Sequence, residues 1–122
     1  MASVPLFFAD HEVDSGGTTW PVEGRLQAMI DGPQPRRAGY IEYRLSRRGA
    51  VALIEMVFVE RAFRRHGIGT ALMNELRARH PRLRRYETQE LLPDGRRFFA
   101  YYGPWRATSG AVYGPSAARA RR

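Results

Sequence analysis

Hydrophobic and polar positions change period along this chain, and the changes mark its elements. From Gly24 to Asp31 ("GRLQAMID") Leu26, Ala28 and Ile30 recur every second residue, the period of a strand. "DGPQPRR" breaks the pattern, because Pro33 and Pro35 cannot donate to a ladder. In "AGYIEYRLS" Ile41, Tyr43 and Leu45 alternate with Tyr40, Glu42 and Arg44, which predicts a strand with one wet face. A short turn at Arg47–Gly49 leads into "AVALIEMVFV", a β-branched run suited to a central strand. The short turn makes these two strands an antiparallel hairpin. The period then becomes helical: Ile68, Leu72 and Leu76 lie four apart, Arg77 and Arg79 suit the carbonyl end, and Pro81 stops the helix. "RRYETQ" predicts a short strand. "PDGRRFFAYYG" predicts a second helix that begins at Pro93 and Asp94, shares a face between Phe98 and Tyr102, and ends at Gly103-Pro104.

The ends of the chain are weaker. Residues 1–22 read as loosely organised, with "VPLFFA" an edge strand and "DSGGTTWP" a loop. "ATSGAVYG" reads as a thin last strand, and residues 116–122 as a basic tail. No internal repeat is visible. The expectation is one domain over residues 1–122, of α/β (α+β) class, with a mixed, mostly antiparallel central sheet flanked by helices.

Composition narrows the chemistry. The chain has no Cys, which excludes a thiol nucleophile and thiolate metal sites and suits a reducing cytoplasm, the expected location. No stretch approaches the roughly 20 apolar residues of a membrane span, and the start lacks the basic region of a signal peptide. His11, His66 and His80 show no ligand spacing, so no metal is expected. The net charge is +8 and uneven: the first 24 residues carry four acids and no Arg, whereas the rest carries 20 Arg against 8 acids. All basic residues are Arg, a side chain that stays charged and grips phosphate bidentately. Such a surface suits an anionic ligand, cofactor or nucleic acid.

One segment concentrates these signals: "VFVERAFRRHGIGTALMNEL", Val57 to Leu76. A P-loop requires a Lys, which the chain lacks. A dinucleotide-binding G-x-G-x-x-G requires a third glycine, where Leu72 stands, and wants its glycines directly after the strand. What remains is a strand, a short loop and a helix start whose free amides suit an anion. Gly67 and Gly69 would let phosphates approach those amides, with Arg64 and Arg65 adding charge.

The segment resembles the acyl-CoA-binding signature of the GNAT N-acetyltransferase superfamily. That signature is a central strand ending in Val, an aromatic, then R/Q-x-x-G-x-G/A, then a helix with Leu. Val59, Phe63, Arg64, Gly67, Ile68, Gly69 and Leu72 fall in place, and the usual Pro is Arg61. The order of elements from about Arg25 to Trp105 agrees more loosely. The resemblance implies a GNAT-like fold with acetyl-CoA, or another acyl-CoA, as donor. Val57, Phe58 and Val59 would line its pantetheine arm. Arg64, Arg65, His66, Gly67, Ile68, Gly69 and Thr70 would hold its pyrophosphate. The acceptor amine would attack the thioester directly, which suits a chain without Cys.

Proton transfer would then need a base and an acid. The resemblance points to a central-strand Glu as base. Glu55 is the ionisable residue within Ala50–Val59, and an apolar strand would favour its protonated form. Glu42 and Glu90 are alternatives. The acid in such proteins is a Tyr four residues before a Gly-aromatic pair, but Phe99 stands there; Tyr102, ahead of Tyr101, is the substitute. The helices expected between the first two strands have only about ten residues, so the N-terminal helical region is abbreviated. The acceptor side is therefore open to a macromolecule or completed by a second subunit in a homodimer. Competing readings are a GNAT acting on aminoacyl-tRNA and a catalytically idle CoA-binding module.

Overall fold

Five strands pair in chain order into one sheet: β1 (Leu6–Asp14), β2 (Val22–Ile30), β3 (Arg36–Leu45), β4 (Val51–Val59) and β5 (Arg85–Thr88). The computed structural model describes residues 5–89 and 91–105. The first four strands are antiparallel neighbours, and β5 joins β4 in parallel. The parallel step needs a crossover, and helix α1 (Ile68–Arg79) supplies it after a short 3₁₀ turn at Arg61–Phe63. Helix α2 (Pro93–Tyr102) follows β5. The mixed, mostly antiparallel sheet with flanking helices is the one expected. The last strand and basic tail, and Glu90, lie outside the described residues.

β1 departs from expectation. It is a nine-residue edge strand, not a loose segment carrying a short one. Hydrophobic alternation hides its second half, because the positions that continue the inward row are Asp10 and Glu12. They are held by polar partners: the Tyr43 hydroxyl reaches both carboxylates across β2. The ring passes over Gly24, where a Cβ would lie 2.3 Å from Tyr43 Cζ. Gly24 is therefore a glycine because an aromatic side chain lies where its own would go.

One face of the sheet packs on α1. Leu26, Ala28, Ile41, Tyr43, Ala52 and Ile54 meet the stripe of Ile68, Leu72, Met73 and Leu76, all nearly or fully buried. This stripe contains the three positions that the four-residue spacing picked out, and burying each contributes roughly 1.5–3 kcal/mol. Helix α2 packs beside α1: Phe98 closes on Gly69, and Phe99, Tyr102 and Trp105 gather around Tyr86 of β5. The opposite sheet face stays half-exposed and carries an ionic and aromatic lattice. Arg25 pairs with Glu42, Arg44 with Glu23 and Glu55, and Arg37 with Glu60. Tyr40 tilts against Phe58, with Arg25 and Arg37 over its ring. Among the described residues, no helix is long and apolar enough to cross a membrane.

Candidate active site

The site begins with a bulge. In the β3–β4 ladder Tyr43 opposes Ile54 and Glu42 opposes Met56, so Glu55 is the extra residue. An inserted residue reverses everything beyond it. Before the bulge, Ala52 and Ile54 face the core; after it, Val57 and Val59 do. Backbone groups reverse too. The carbonyls of Ala50 and Ile54 point toward the β5 side, where they accept from Arg84 and Gln89. Beyond the bulge Phe58 opposes Tyr40, and the Glu60 N–H donates to the Ala38 carbonyl. Val57 and Val59 therefore turn their backbone groups away from β3. Pairing with β5 has already ended at Ile54–Thr88. The second half of β4 thus presents an edge that no described strand covers, and the Val59 carbonyl there accepts from the Arg64 Nε at 3.3 Å.

The chain leaves this edge through the 3₁₀ turn and enters α1 by two left-handed residues, Arg65 (φ 67°) and Gly67 (φ 75°). The first helical bond runs from the Ala71 N–H to the Gly67 carbonyl, which leaves the amides of Ile68, Gly69 and Thr70 without a helical acceptor. Among the described residues, no side-chain hydrogen bond caps this end. Arg64, Arg65, His66 and Gly67 are exposed around it, and the position of a Gly67 Cβ is open space. The α1 N-terminus therefore offers free amides, positive dipole character and guanidinium groups to an anion.

The two glycines have different reasons. Gly67 sits in a left-handed conformation that favours glycine, and it faces solvent. Gly69 does not: it is buried, and a Cβ there would meet the Phe98 ring at 2.8 Å. The expectation that Gly69 clears room for phosphate is corrected; it clears room for α2. Gly39 of β3 belongs to the same neighbourhood. Its Cβ would lie 2.5 Å from the Phe58 carbonyl oxygen and 3.2 Å from Ile68 Cγ2. The close approach of β3, the open end of β4 and the start of α1 depends on that missing atom.

Glu55 does not occupy the apolar setting expected of it. The bulge turns it to the half-exposed face, where its carboxylate accepts from Arg44 Nε at 3.1 Å with 28% of the side chain exposed. Glu42, the alternative, lies on the same face and pairs with Arg25. Tyr102 stands elsewhere, between the two helices. Its hydroxyl donates to Asn74 Oδ1 at 2.7 Å and accepts from Trp105 Nε1 at 2.9 Å. Burial pushes it up to about 12, against a smaller lowering by Trp105. Tyr101 is 87% exposed. The sequence named Glu55, Val57–Val59 and the helix start as candidates, but not the bulge that relates them, nor Arg44 as the partner of Glu55. A residue inserted in one strand becomes visible only when the opposing strand is in place.

The five-stranded mixed sheet with its two flanking helices matches the fold of solved GNAT acyl-CoA N-acyltransferases. The chain belongs to the acetyltransferase (GNAT) family, whose model matches residues 6–103. Among solved structures, it is similar to a GNAT-family acetyltransferase from Streptococcus pneumoniae TIGR4. The identity is 14%, the match covers 93% of this chain and 98% of that one, and the TM-score is 0.54. It is also similar to a ribosomal-protein-alanine N-acetyltransferase from Brucella melitensis biovar Abortus 2308, at 18% identity, covering 80% and 71% of the two chains, with a TM-score of 0.51. These likenesses are of fold. No curated protein matches by sequence.

Proposed function

We propose that this chain transfers an acetyl or related acyl group from acyl-CoA to an amine. The observation that carries the reading is the adjacency of the uncovered β4 edge to the uncapped start of α1. An extended amide-bearing arm can add to the first as a strand would, while its diphosphate meets the second. Val57 and Val59 would hold the pantetheine through backbone groups, with Phe58 between them on the opposite face. Gly67, Ile68, Gly69 and Thr70 would hold the pyrophosphate through amides, with Arg64, Arg65 and His66 around it. Acyl-CoA would supply the activated thioester.

Glu55 is the proposed base. It stands at the bulge where the edge opens, and its carboxylate would take the proton from the acceptor ammonium once Arg44 shares it. Tyr102 is a poor source for the second proton. Its hydroxyl is engaged at both ends, and at about 12 it lies well above the roughly 8.5 of a thiol. We assign it to joining α1, α2 and Trp105. Tyr102→Phe is expected to cost about 1 kcal/mol of stability and to leave turnover within about twofold. A tenfold loss of turnover would return Tyr102 to proton delivery.

The acceptor would approach across the half-exposed face. An uncovered face favours an amine that brings its own surface, such as a protein N-terminus, the kind of acceptor named for the Brucella neighbour. Arg25, Arg37 and Arg44 on that face are paired with carboxylates, which argues against RNA there. The test is CoA release with acetyl-CoA across peptides with free N-termini, amino acids, polyamines, aminoglycosides and charged tRNA. Release with at least one acceptor is expected, falling on the order of 100-fold in Glu55→Gln. Release unchanged in that variant removes Glu55 as base, and no release with any acceptor removes the enzymatic reading.

A further inference from the structure

At the other end of α1, about 18 Å from the uncapped end for a twelve-residue helix, four side chains meet that the acyl-transfer reading does not use. They are Asp10 and Glu12 of β1, Tyr43 of β3, and His80, which follows the last turn of α1. The carboxylate oxygens of Asp10 and Glu12 and a ring nitrogen of His80 all lie within 4.8 Å of one another. Nothing in the sequence suggested this, because the donors are about 70 residues apart and join only when β1 pairs with β2 above the helix.

Counting protons shows what the cluster lacks. His80 Nδ1 lies 2.9 Å from the Leu76 carbonyl, an acceptor, so Nδ1 carries a hydrogen and the ring is held in one orientation. In the neutral ring, Nε2 is then a bare lone pair, and it faces Glu12 Oε2 at 2.7 Å. The Tyr43 hydroxyl, with its residue 1% exposed, has one proton for three carboxylate oxygens: Asp10 Oδ1 at 2.8 Å, Asp10 Oδ2 at 3.0 Å and Glu12 Oε2 at 2.5 Å. Acceptors therefore face acceptors in two places. A proton on Nε2 relieves one of them. A cation between the nitrogen and both carboxylates relieves both.

We propose that Asp10, Glu12 and His80 bind a first-row divalent cation of the Zn²⁺ type, which fastens edge strand β1 to the C-terminus of α1. One imidazole and two carboxylates suit such an ion better than Ca²⁺ or Mg²⁺, which favour all-oxygen sets. The Leu76 carbonyl is the outer partner that a metal-bound imidazole ordinarily has. The helix C-terminus adds negative dipole character. Arg79, the neighbouring cation, is turned to Glu75 and the Phe8 carbonyl. Glu12 is 35% exposed and His80 18%, so an ion can enter from solvent. Binding would open the Nε2–Oε2 pair from 2.7 Å to ~3.3 Å, the spacing of donors about 2.05 Å from a tetrahedral zinc.

The test uses untagged protein stripped with EDTA. Zn²⁺ alone is expected to bind one ion per chain by calorimetry and to raise the melting temperature by several degrees. Co²⁺ alone is expected to give visible ligand-field bands. Both effects should vanish in Glu12→Gln and in His80→Asn and persist in Tyr43→Phe, which keeps the three donors. The proposal is overturned if wild type shows no band, heat or thermal shift with millimolar metal, or if a Glu12→Gln/His80→Asn double variant binds as wild type does. The wild-type titration decides even if a variant fails to fold. Loss of this site would leave acetyl-CoA binding at the other end of α1 in place, so the two readings fail separately.

Discussion

Gly39→Ala is expected to lower stability by about 2–3 kcal/mol, a melting temperature depressed by roughly 10 °C. The added Cβ would stand 2.5 Å from the Phe58 carbonyl oxygen and 3.2 Å from both Val59 Cα and Ile68 Cγ2. The first two are backbone atoms of the strand that forms the open edge, and the third belongs to the first residue of α1. No side-chain rotation removes the clash, so β4 and the start of α1 must move. Gly95→Ala, in α2, is the matched control. There the Cβ meets ordinary contacts at 3.5 Å or more, and the substitution should be neutral or stabilising by up to about 1 kcal/mol. Urea midpoints of the two variants measure the contrast. Gly39→Ala as stable as wild type would mean that β3, β4 and the start of α1 do not approach one another this closely.

Gly67→Glu is expected to abolish the response to acetyl-CoA. In wild type, ligand at ten times its dissociation constant stabilises the fold by about 1.4 kcal/mol, roughly 5 °C in melting temperature. In the variant a carboxylate stands in the open space before the amides of Ile68, Gly69 and Thr70, where the pyrophosphate is proposed to sit. Two effects combine there. The left-handed φ of 75° costs any L side chain about 1–2 kcal/mol, and the negative charge opposes phosphate. Gly67→Ala carries the strain without the charge. It should melt lower but keep most of the acetyl-CoA shift, whereas Gly67→Glu should lose it. A full shift in Gly67→Glu would put the diphosphate elsewhere.

Much of the fold could be read from the sequence because local rules state it. Ile68, Leu72 and Leu76 announced α1, Pro81 its end, and Ala50–Val59 a central strand, since buried stripes and breakers act over a few residues. The segment from Val57 to Thr70 could be singled out for the same reason: strand, loop and helix start are continuous in the chain. What could not be read depends on a partner. β1 looked short because Asp10 and Glu12 interrupt its apolar row, and only Tyr43 and His80 make those positions inward-facing. Glu55 looked buried within an apolar run, but the bulge opposite Glu42 and Tyr43 turns it to Arg44. Gly69 looked like a phosphate-binding glycine, but the space beside it belongs to Phe98, 29 positions later.

The sequence by itself therefore determined the elements, their order, and the contiguous segment here proposed to receive a diphosphate, because periodicity, turn residues and backbone freedom are properties of neighbouring residues. Tertiary structure alone decided which way Glu55 points, why Gly69 and Gly39 have no side chains, that the Tyr102 hydroxyl is engaged, and that Asp10, Glu12 and His80 converge. Each of these follows from strand register or helix packing, where a shift of one residue reverses every side chain and no local signal records the choice.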